Sequence, residues 1–309
     1  MDRVRAGIVP AWREFLARLA KPDAPPQEWR DFLRLTGASP RQPSPLLLAQ
    51  RDHLLELAAI APGERVLEIG CGLGLLAFWA AELAGPAGRV IACDIDAGCI
   101  AWCRQQAQLR DVPVPRFLRA DARTLPFPDR AFDAAVFRCV LAFVLEKDAV
   151  VCELRRVLRP GGRLAFYERV NRENRRLASL LPPDALPAAQ RDRLEQAEEA
   201  IHHDPNDPML DFDIASLGAA LSRAGFTEIC WERVERTEEH RLTPGVVRAW
   251  LETQPAPGRP AYSELLARYL PADELAAFKR ALVRHADGRL VPFKVVGVYM
   301  RAVASGSAP

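Results

Sequence analysis

Three glycines at alternating positions form the segment of this chain best suited to chemistry. Gly70, Gly72 and Gly74 lie in the run VLEIGCGLG, between a strand-like apolar segment and a helix-like segment. Glycine lets the backbone turn tightly and approach a ligand, because no Cβ is in the way. The N-terminus of the following helix favours a negatively charged group. The pattern indicates a cofactor-binding turn, and a tight turn without a ligand is the alternative for the glycines alone.

Acidic residues stand where the next two strands are expected to end. Asp94 closes the segment RVIACD, and Asp121 follows residues 115–119. Ligands of open α/β sheets bind outside the carboxyl ends of the strands, and a carboxylate accepts two hydrogen bonds from a vicinal diol. Both acids are therefore predicted to bind a ligand, whereas Asp96 and Asp129 are expected to serve turns. Leu75 stands where a dinucleotide fingerprint requires its third glycine, which disfavours a nicotinamide cofactor.

The strands and helices that must position these residues alternate along the chain. The pattern predicts strands at 65–69, 89–94, 115–119, 134–139, 163–168, 228–234 and 293–302, and helices at 45–60, 73–83, 97–110, 147–158 and 214–224. Such alternation implies right-handed βαβ units and a parallel sheet. We predict an α/β fold with a Rossmann-like, seven-stranded, mostly parallel sheet, helices on both faces and an antiparallel last strand.

The same pattern predicts how the chain is divided. Residues 1–44 are expected to form an N-terminal helical cap, 45–170 the core, and 171–212 an insertion. Residues 213–302 would complete the core, with a helical insertion at 243–286, and 303–309 would be a disordered tail. Both insertions leave the C-terminal end of a strand, so we expect them to form a lid over a closed pocket.

Composition narrows the class of protein. The chain has 309 residues, 49% of them hydrophobic, and a net charge of +2. No secretory signal or membrane span is evident, and the seven cysteines form no C-x-x-C pair, which predicts a soluble, cytoplasmic protein. A nucleic-acid partner is not expected, because no basic tract occurs. A metal site is not expected either, because His202 and His203 are adjacent on a helix and point apart. The oligomeric state stays open.

At these residues the chain resembles the class I S-adenosylmethionine-dependent methyltransferases, in the broad group that includes the ubiquinone/menaquinone C-methyltransferases. The matching segments are VLEIGCGLG, CDID, RADARTLPFPDRAFDAAVFRCVLAFV and LRRVLRPGGRLAFYE, which lie within about residues 45–170 in the order of the family. The resemblance implies S-adenosyl-L-methionine as the cofactor. It says almost nothing of the acceptor, since this group methylates carbon, nitrogen, oxygen and sulfur.

The resemblance also implies roles for individual residues. The glycines would pass close to the methionine portion of the cofactor, and Glu68 would bind it through its amino group or a water. Asp94 would hold the ribose hydroxyls, with Ile95 beside the adenine. Asp121 would accept from the adenine amino group, with Ala122 supplying a backbone N–H. The expected cofactor-binding residues are Glu68, Gly70, Cys71, Gly72, Gly74, Asp94, Ile95, Asp121, Ala122 and Arg138.

The sequence leaves open the role of Arg138 and the identity of the catalytic residues. Arg138 would pair with the cofactor carboxylate or an anionic substrate, or be a solvated side chain. Methyl transfer is an in-line displacement at a sulfonium carbon, and the leaving group needs no proton, so no obligatory catalytic residue is predicted. Candidates for contact with the acceptor are Tyr167, Glu168, Arg169, Asn171, Arg138, His202, His203, Asp211 and Asp213.

The predicted function is methyl transfer to a small organic metabolite. The alternatives are a methyltransferase that acts on protein or RNA, and a nucleotide-cofactor-binding protein without methyl transfer. The insertion at residues 171–210 looks marginally stable without a ligand, and residues 186–213 are expected to become ordered or more protected when cofactor and acceptor are both bound. Of Asp211 and Asp213, one would cap the helix beginning at Ile214 and the other would reach the pocket, or both would start the helix.

Overall fold

The computed structural model describes residues 44–109, 113–254 and 259–306. The predicted N-terminal cap, apart from Ser44, lies outside these ranges. The strands are β1 (Arg65–Ile69), β2 (Arg89–Asp94), β3 (Arg116–Arg119), β4 (Phe132–Arg138), β5 (Leu158–Arg169), β6 (Phe226–Arg241) and β7 (Leu290–Ala304). The α-helices are α1 (Pro45–Ala58), α2 (Ala77–Ala84), α3 (Ala97–Gln108), α4 (Lys147–Val157), α5 (Ala188–His202), α6 (Ile214–Arg223), α7 (Pro244–Glu252), α8 (Tyr262–Leu266) and α9 (Ala272–Arg284).

The seven strands of the described residues form one sheet in the order β3-β2-β1-β4-β5-β7-β6. β1 pairs in parallel with β2 and with β4, and β2 pairs in parallel with β3. The residue that follows β6 exchanges hydrogen bonds with the two residues that precede β7, from Leu242 N to Arg289 O (2.9 Å) and from Gly288 N to Leu242 O (2.8 Å). This exchange makes the last strand antiparallel to β6. The predicted Rossmann-like, mostly parallel sheet is confirmed.

Local signals in the sequence explain where α1 begins and ends. The Ser44 side chain accepts a hydrogen bond from Leu47 N (3.2 Å), and Pro45 occupies the first helical turn. Both features are typical of a helix N-terminus. Ala59 adopts the left-handed conformation (φ 48°) and closes the helix. The predicted helix start at Ser44-Pro45 is confirmed, and the helix ends two residues earlier than predicted.

Several predicted boundaries were wrong. The helix after the glycines begins at Ala77 instead of residue 73, since Gly72 and Gly74 have positive φ (51° and 82°), which a right-handed helix excludes. β5 already begins at Leu158, and β6 continues to Arg241 because its charged second half pairs with β7. β7 extends to Ala304, so the first two residues of the predicted disordered tail belong to a strand whose last side chain is buried.

The chain divides into two compact units. Among the described residues, the first unit comprises 44–138, 153–165 and 303–306, and the second comprises 139–152 and 166–302. The predicted division, with one core at 45–170 and two insertions, remains a prediction. No helix in the described ranges is long and apolar enough to cross a bilayer.

The second unit has a hydrophobic core to which both predicted insertions contribute. Leu194, Ile201 and Leu210 come from the earlier insertion and pack in one cluster with Leu251 and Phe278 from the later one. Burying a leucine side chain fully stabilises a fold by roughly 1.5–3 kcal/mol. The expectation of marginal stability in the insertion at 171–210 therefore finds no support in the packing. The expected lid movement remains a prediction.

Candidate functional site

The glycine loop between β1 and α2 has a backbone that only glycine adopts easily. Gly70, Gly72 and Gly74 all have positive φ, at 59°, 51° and 82°. The loop is closed by a hydrogen bond from Gly74 N to Cys71 O (2.8 Å), and Cys71 N donates to Cys93 O at the end of β2 (3.0 Å). A side chain at any of the three glycines would strain the backbone. The alternating spacing thus follows from the backbone conformation.

The backbone of Gly72 is held on both sides of its Cα atom. Its N–H donates to Asp94 Oδ2 (2.8 Å), and its carbonyl accepts from the Cys103 thiol of α3 (Sγ to O, 3.3 Å). The other carboxylate oxygen of Asp94 accepts from Asp96 N (2.9 Å). Asp94 therefore braces the glycine loop. Sequence reasoning missed this contact because it joins residues 22 positions apart.

Glu68 provides a buried carboxylate just before the loop. Only 2% of the residue is exposed, and its Oε2 is buried with no hydrogen-bond partner among the described residues. Burial and the nearby Asp94 carboxylate raise the pKa of Glu68 well above its usual range, while a hydrogen bond from Ala77 N acts in the opposite direction. Two adjacent carboxylates favour a cation beside them. S-adenosylmethionine carries an ammonium and a sulfonium, so these residues fit that cofactor.

Cys71 and Gly74 are placed by packing. Cys71 is 4% exposed and belongs to a buried cluster with Phe78 and Cys103, so its thiol faces the interior of the unit. A Cβ on Gly74 would lie 2.7 Å from Phe78 Cε2 and 3.3 Å from Cys103 Sγ. Glycine at position 74 is therefore required by the close approach of Phe78. Contact of either residue with the cofactor remains a prediction.

The structure shows the surroundings of the residues predicted to contact the adenine, Ile95, Asp121 and Ala122. Ile95 is 59% exposed, unusual for an isoleucine, so an apolar side chain is available beside the end of β2. Asp121 already accepts hydrogen bonds from Arg123, from its backbone N (2.9 Å) and from Nη2 (2.8 Å), and these bonds lower the pKa of the Asp121 carboxyl. Sequence reasoning missed Arg123, although it stands two residues away. Half-buried Ala122 lies between them, and the adenine contacts remain predictions.

Arg138, at the end of β4, contacts α1. Its Nε and Nη2 donate to Gln50 Oε1 at 3.2 and 2.9 Å, and Gln50 is only 4% exposed. A buried amide thus holds the guanidinium, and pairing of Arg138 with the cofactor carboxylate or with an anionic substrate remains a prediction. Gln50 was missed, since one polar residue in a helix carries no signal of a partner 88 positions away.

We expect Asp94→Ala to lower the affinity for S-adenosylmethionine by roughly tenfold to a hundredfold. The substitution leaves the N–H groups of Gly72 and Asp96 without their acceptor, and a hydrogen bond to a charged group contributes about 1.5–3 kcal/mol. Titration calorimetry measures the change, with Asp129→Ala as a control that removes an exposed acid from a turn. Unchanged affinity in a folded Asp94→Ala protein would contradict the assignment.

Glu168 is the buried carboxylate of the second unit. Its Oε1 accepts from the backbone N–H groups of Val140 and Leu141, both at 2.6 Å, and Oε2 has no partner among the described residues. Burial raises the pKa of Glu168 to about 7, against the lowering effect of the two hydrogen bonds and of Lys147. The carboxylate thus holds the backbone that follows β4 and is able to exchange a proton near neutral pH.

The other candidates at the end of β5 are less suited to catalysis. Tyr167 is 1% exposed and packs against Tyr299, with ring centroids 4.8 Å apart. A Cβ on Gly297 would lie 2.3 Å from the Tyr167 hydroxyl, so Tyr167 occupies the space that a side chain at position 297 would need. Asn171 accepts from Asn174 Nδ2 (3.2 Å) within a short 3-10 helix. These contacts indicate structural roles, and contact with an acceptor remains a prediction for both residues.

Arg169, the last residue of β5, is half-buried, and its Nε has no hydrogen-bond partner among the described residues. It lies near Glu238 of β6, since its charge helps to lower the pKa of the Glu238 carboxyl, after the hydrogen bond from His240. Contact of Arg169 with an acceptor remains a prediction.

Asp211 and Asp213 have different contacts. Asp213 caps α6 by accepting from Ser216 N (2.8 Å), and the Ser216 hydroxyl accepts in return from Asp213 N (2.9 Å). The prediction that one of the two caps the helix is confirmed. Asp211 is ion-paired with Lys147 at 2.5 Å, and both side chains are almost buried (13% and 10% exposed). Sequence reasoning missed Lys147, and a role for Asp211 in an acceptor pocket remains a prediction.

The two adjacent histidines have separate surroundings. His202 is buried, its Nδ1 lies 2.8 Å from Glu198 O, and burial lowers its pKa to about 4. His203 is half exposed and lies 3.1 Å from the Glu199 carboxylate. Over the described part of the chain, no group of three or more His, Cys, Asp and Glu side chains is arranged to hold a metal ion.

Glu168→Gln is expected to flatten the pH dependence of stability between about pH 4.5 and pH 7. The pKa is higher in the folded protein, so this group stabilises the fold fully below pH 4.5 and the contribution is lost as the pH rises through 7. The lost contribution is on the order of 3 kcal/mol. Urea unfolding at several pH values measures it, and exposed Glu195→Gln is the matched control. A slope unaffected by Glu168→Gln would show that the buried carboxyl keeps its usual pKa.

Comparison with known proteins connects this geometry to a family. Residues 67–166 match the family described as a methyltransferase domain. A ubiquinone/menaquinone biosynthesis C-methyltransferase from Pseudomonas putida is 32% identical over 203 residues, which covers 62% of this chain and 73% of that relative. The corresponding enzyme from Ectopseudomonas mendocina shows the same identity and coverage.

Solved structures share the fold. The YcgJ protein from Bacillus subtilis has a TM-score of 0.51 at 17% identity, with 84% of this chain and 99% of that chain covered. The [4+2]-cyclase SpnF has a TM-score of 0.52 at 22% identity, with 91% and 96% covered. At such identities the likeness concerns the fold alone.

Proposed function

Since the chain belongs to the class I S-adenosylmethionine-dependent methyltransferases, in the ubiquinone/menaquinone C-methyltransferase-like group, we propose that its methyl acceptor is a small organic metabolite. The enzyme class and the cofactor follow from the family. The observation that carries the proposal is the 32% identity over 203 residues to an enzyme named as a C-methyltransferase of quinone biosynthesis. An aromatic ring carbon is accordingly the first acceptor to test.

The residues of the first unit supply the binding functions that methyl transfer needs. The cofactor brings an electrophilic methyl group on a sulfonium. Glu68 and Asp94 place two carboxyl groups beside the glycine loop, and a positive group of the cofactor bound there would favour their ionised forms and be attracted to them. Gly70 and Gly72 keep side-chain atoms away from the loop, and exposed Ile95 offers an apolar surface for a flat ring. Holding the acceptor atom in line with the methyl group and excluding water account for much of the catalysis in such a displacement.

Charge and composition also favour a small acceptor over a macromolecule. The net charge of +2 arises from 42 basic and 40 acidic residues, which are interspersed along the chain. Proteins that bind RNA usually cluster their basic residues on one face or along one helix. We therefore rank small aromatic acceptors first, and RNA and protein acceptors as alternatives that the same assay measures.

The assay uses the full chain with S-adenosylmethionine carrying a labelled methyl group. The candidate acceptors are phenols, quinols, amines, thiols, total RNA and a protein mixture, each incubated separately. We expect label on a small organic molecule, with the phenol and quinol reactions yielding a new carbon–methyl bond detectable by mass spectrometry. Gly72→Val serves as the inactive control. Label found only in RNA or protein would overturn the proposal.

A further inference from the structure

Strand β6 presents a long edge of the sheet. It stands last in the strand order, so one of its sides faces no other strand among the described residues. It runs for 16 residues, and most of its side chains are exposed, with Trp231 at 60%. The backbone N–H and C=O groups on such an edge can pair with another strand. The side chains of β6 therefore decide which strand is accepted.

The centre of β6 is self-complementary in charge. It reads Glu232-Arg233-Val234-Glu235-Arg236. When two copies align antiparallel with Val234 opposite Val234, Arg233 of each faces Glu235 of the other, and Glu232 faces Arg236. Both pairs occur twice, because a two-fold axis relates the copies. Opposite charges that face each other across two strands are stabilising.

Neighbouring registers bring like charges together. A shift by one residue places either Glu232 opposite Glu235 or Arg233 opposite Arg236. A shift by two places Arg233 opposite its own copy, or Glu235 opposite its own copy. Parallel pairing in register sets every charge against itself. Like charges directly opposite are destabilising, so the pattern selects one pairing and disfavours its neighbours.

The contacts within the chain leave capacity for this pairing. Arg233 donates to Glu235 (2.8 Å) and to Glu173 (2.7 Å), and Lys294 contacts Glu235 (3.0 Å). The side chains of Arg233 and Glu235 are 39% and 46% exposed. A guanidinium has five N–H donors and a carboxylate about four acceptor positions, so each can add a partner across the two-fold axis.

We propose that β6 is the interface of a homodimer, in which the β6 strands of two copies pair antiparallel about a two-fold axis at Val234. The partner is a second copy of this chain, because the self-pairing sets each charge of this segment opposite a charge of the other sign. The same alignment sets exposed Trp231 opposite Thr237, and aromatic and β-branched residues pair well across strands. Because exposed charges fix the register, the dimer weakens as salt rises.

Two single charge reversals test the interface. Arg233→Glu sets Glu against Glu235, and Glu235→Arg sets Arg against Arg233, so each variant alone should dimerise at least roughly tenfold more weakly in low salt. In an equimolar mixture of the two variants, both cross-strand pairs again join opposite charges. We therefore expect the mixture to form heterodimers with near wild-type affinity. Sedimentation velocity and native mass spectrometry measure both effects.

Controls separate this interface from other causes. Glu239→Arg makes the same charge change on the same strand, but residue 239 faces Ile229 in the proposed dimer, so dimerisation should persist. Circular dichroism confirms that each variant is folded. A wild-type chain that stays monomeric at millimolar concentration in low salt overturns the proposal. So does a dimer that both reversals leave unchanged, or a mixture of the two variants without heterodimers.

Discussion

Replacing Gly72 by valine is expected to abolish S-adenosylmethionine binding while the protein remains folded. Gly72 has φ 51°, its N–H donates to Asp94 and its carbonyl accepts from Cys103. A β-branched residue is a genuine outlier at this φ, so the peptide must rotate and break both contacts. The loop then loses the shape that admits the cofactor. Thermal unfolding with and without S-adenosylmethionine measures the result, and we expect no stabilisation by the ligand.

Gly85→Val is the matched control for this experiment. Gly85 also has a positive φ (67°), and a Cβ there would meet no atom within 4 Å. Its substitution imposes the same kind of backbone strain at the end of α2, away from the loop. We expect it to lower stability and to leave cofactor binding intact. Ligand-induced stabilisation of Gly72→Val equal to that of the wild type would show that the loop does not contact the cofactor.

Replacing Lys147 by methionine is expected to destabilise the fold by roughly 3–5 kcal/mol, because it leaves a nearly buried carboxylate without its counter-charge. Lys147 lies 2.5 Å from Asp211 and also donates to Val144 O (2.9 Å). The aliphatic part of methionine packs in place of the lysine stem. The decrease in the free energy of unfolding therefore reflects mainly the lost charge. Urea unfolding at neutral pH measures the free energy of unfolding.

The double variant Lys147→Met/Asp211→Asn separates charge from packing. Removing both charges should restore most of the stability, since two uncharged side chains then replace the ion pair between residues 147 and 211. We also expect the single Lys147→Met variant to recover stability at low pH, where Asp211 is protonated. A double variant as unstable as the single one would mean that the lysine acts through its contact with Val144.

The sequence predicted the elements that rest on local signals. Ser44-Pro45 starts a helix through contacts within four residues, and the glycines mark the loop through a conformation that only glycine adopts easily. The second half of β6 was missed because its alternating Glu and Arg residues have no apolar face, and pairing with β7 decides its structure.

The partners of site residues that lie far away in the chain could not be predicted from the sequence. Gln50 and Arg138 are 88 positions apart, and Lys147 and Asp211 are 64 apart. Nothing in the spacing of polar residues shows which of many such pairs will meet. Asp121 and Arg123 differ, since they are neighbours in the chain. Their contact was within reach of sequence reasoning, and an arginine two residues after an acid at a strand end is the signal for it.

The double bracing of Gly72 has a consequence for the thermodynamics of binding. Asp94 gives one lone pair of each oxygen to the N–H groups of Gly72 and Asp96, and a carboxylate keeps about two further acceptor positions for a ribose. Asparagine at position 94 would replace one of these oxygens with an NH2 group. That group would face a backbone N–H, and two donors cannot form a hydrogen bond with each other. Because the loop has its hydrogen bonds before a ligand arrives, little conformational entropy is lost on association, and the free energy of the new contacts goes into affinity.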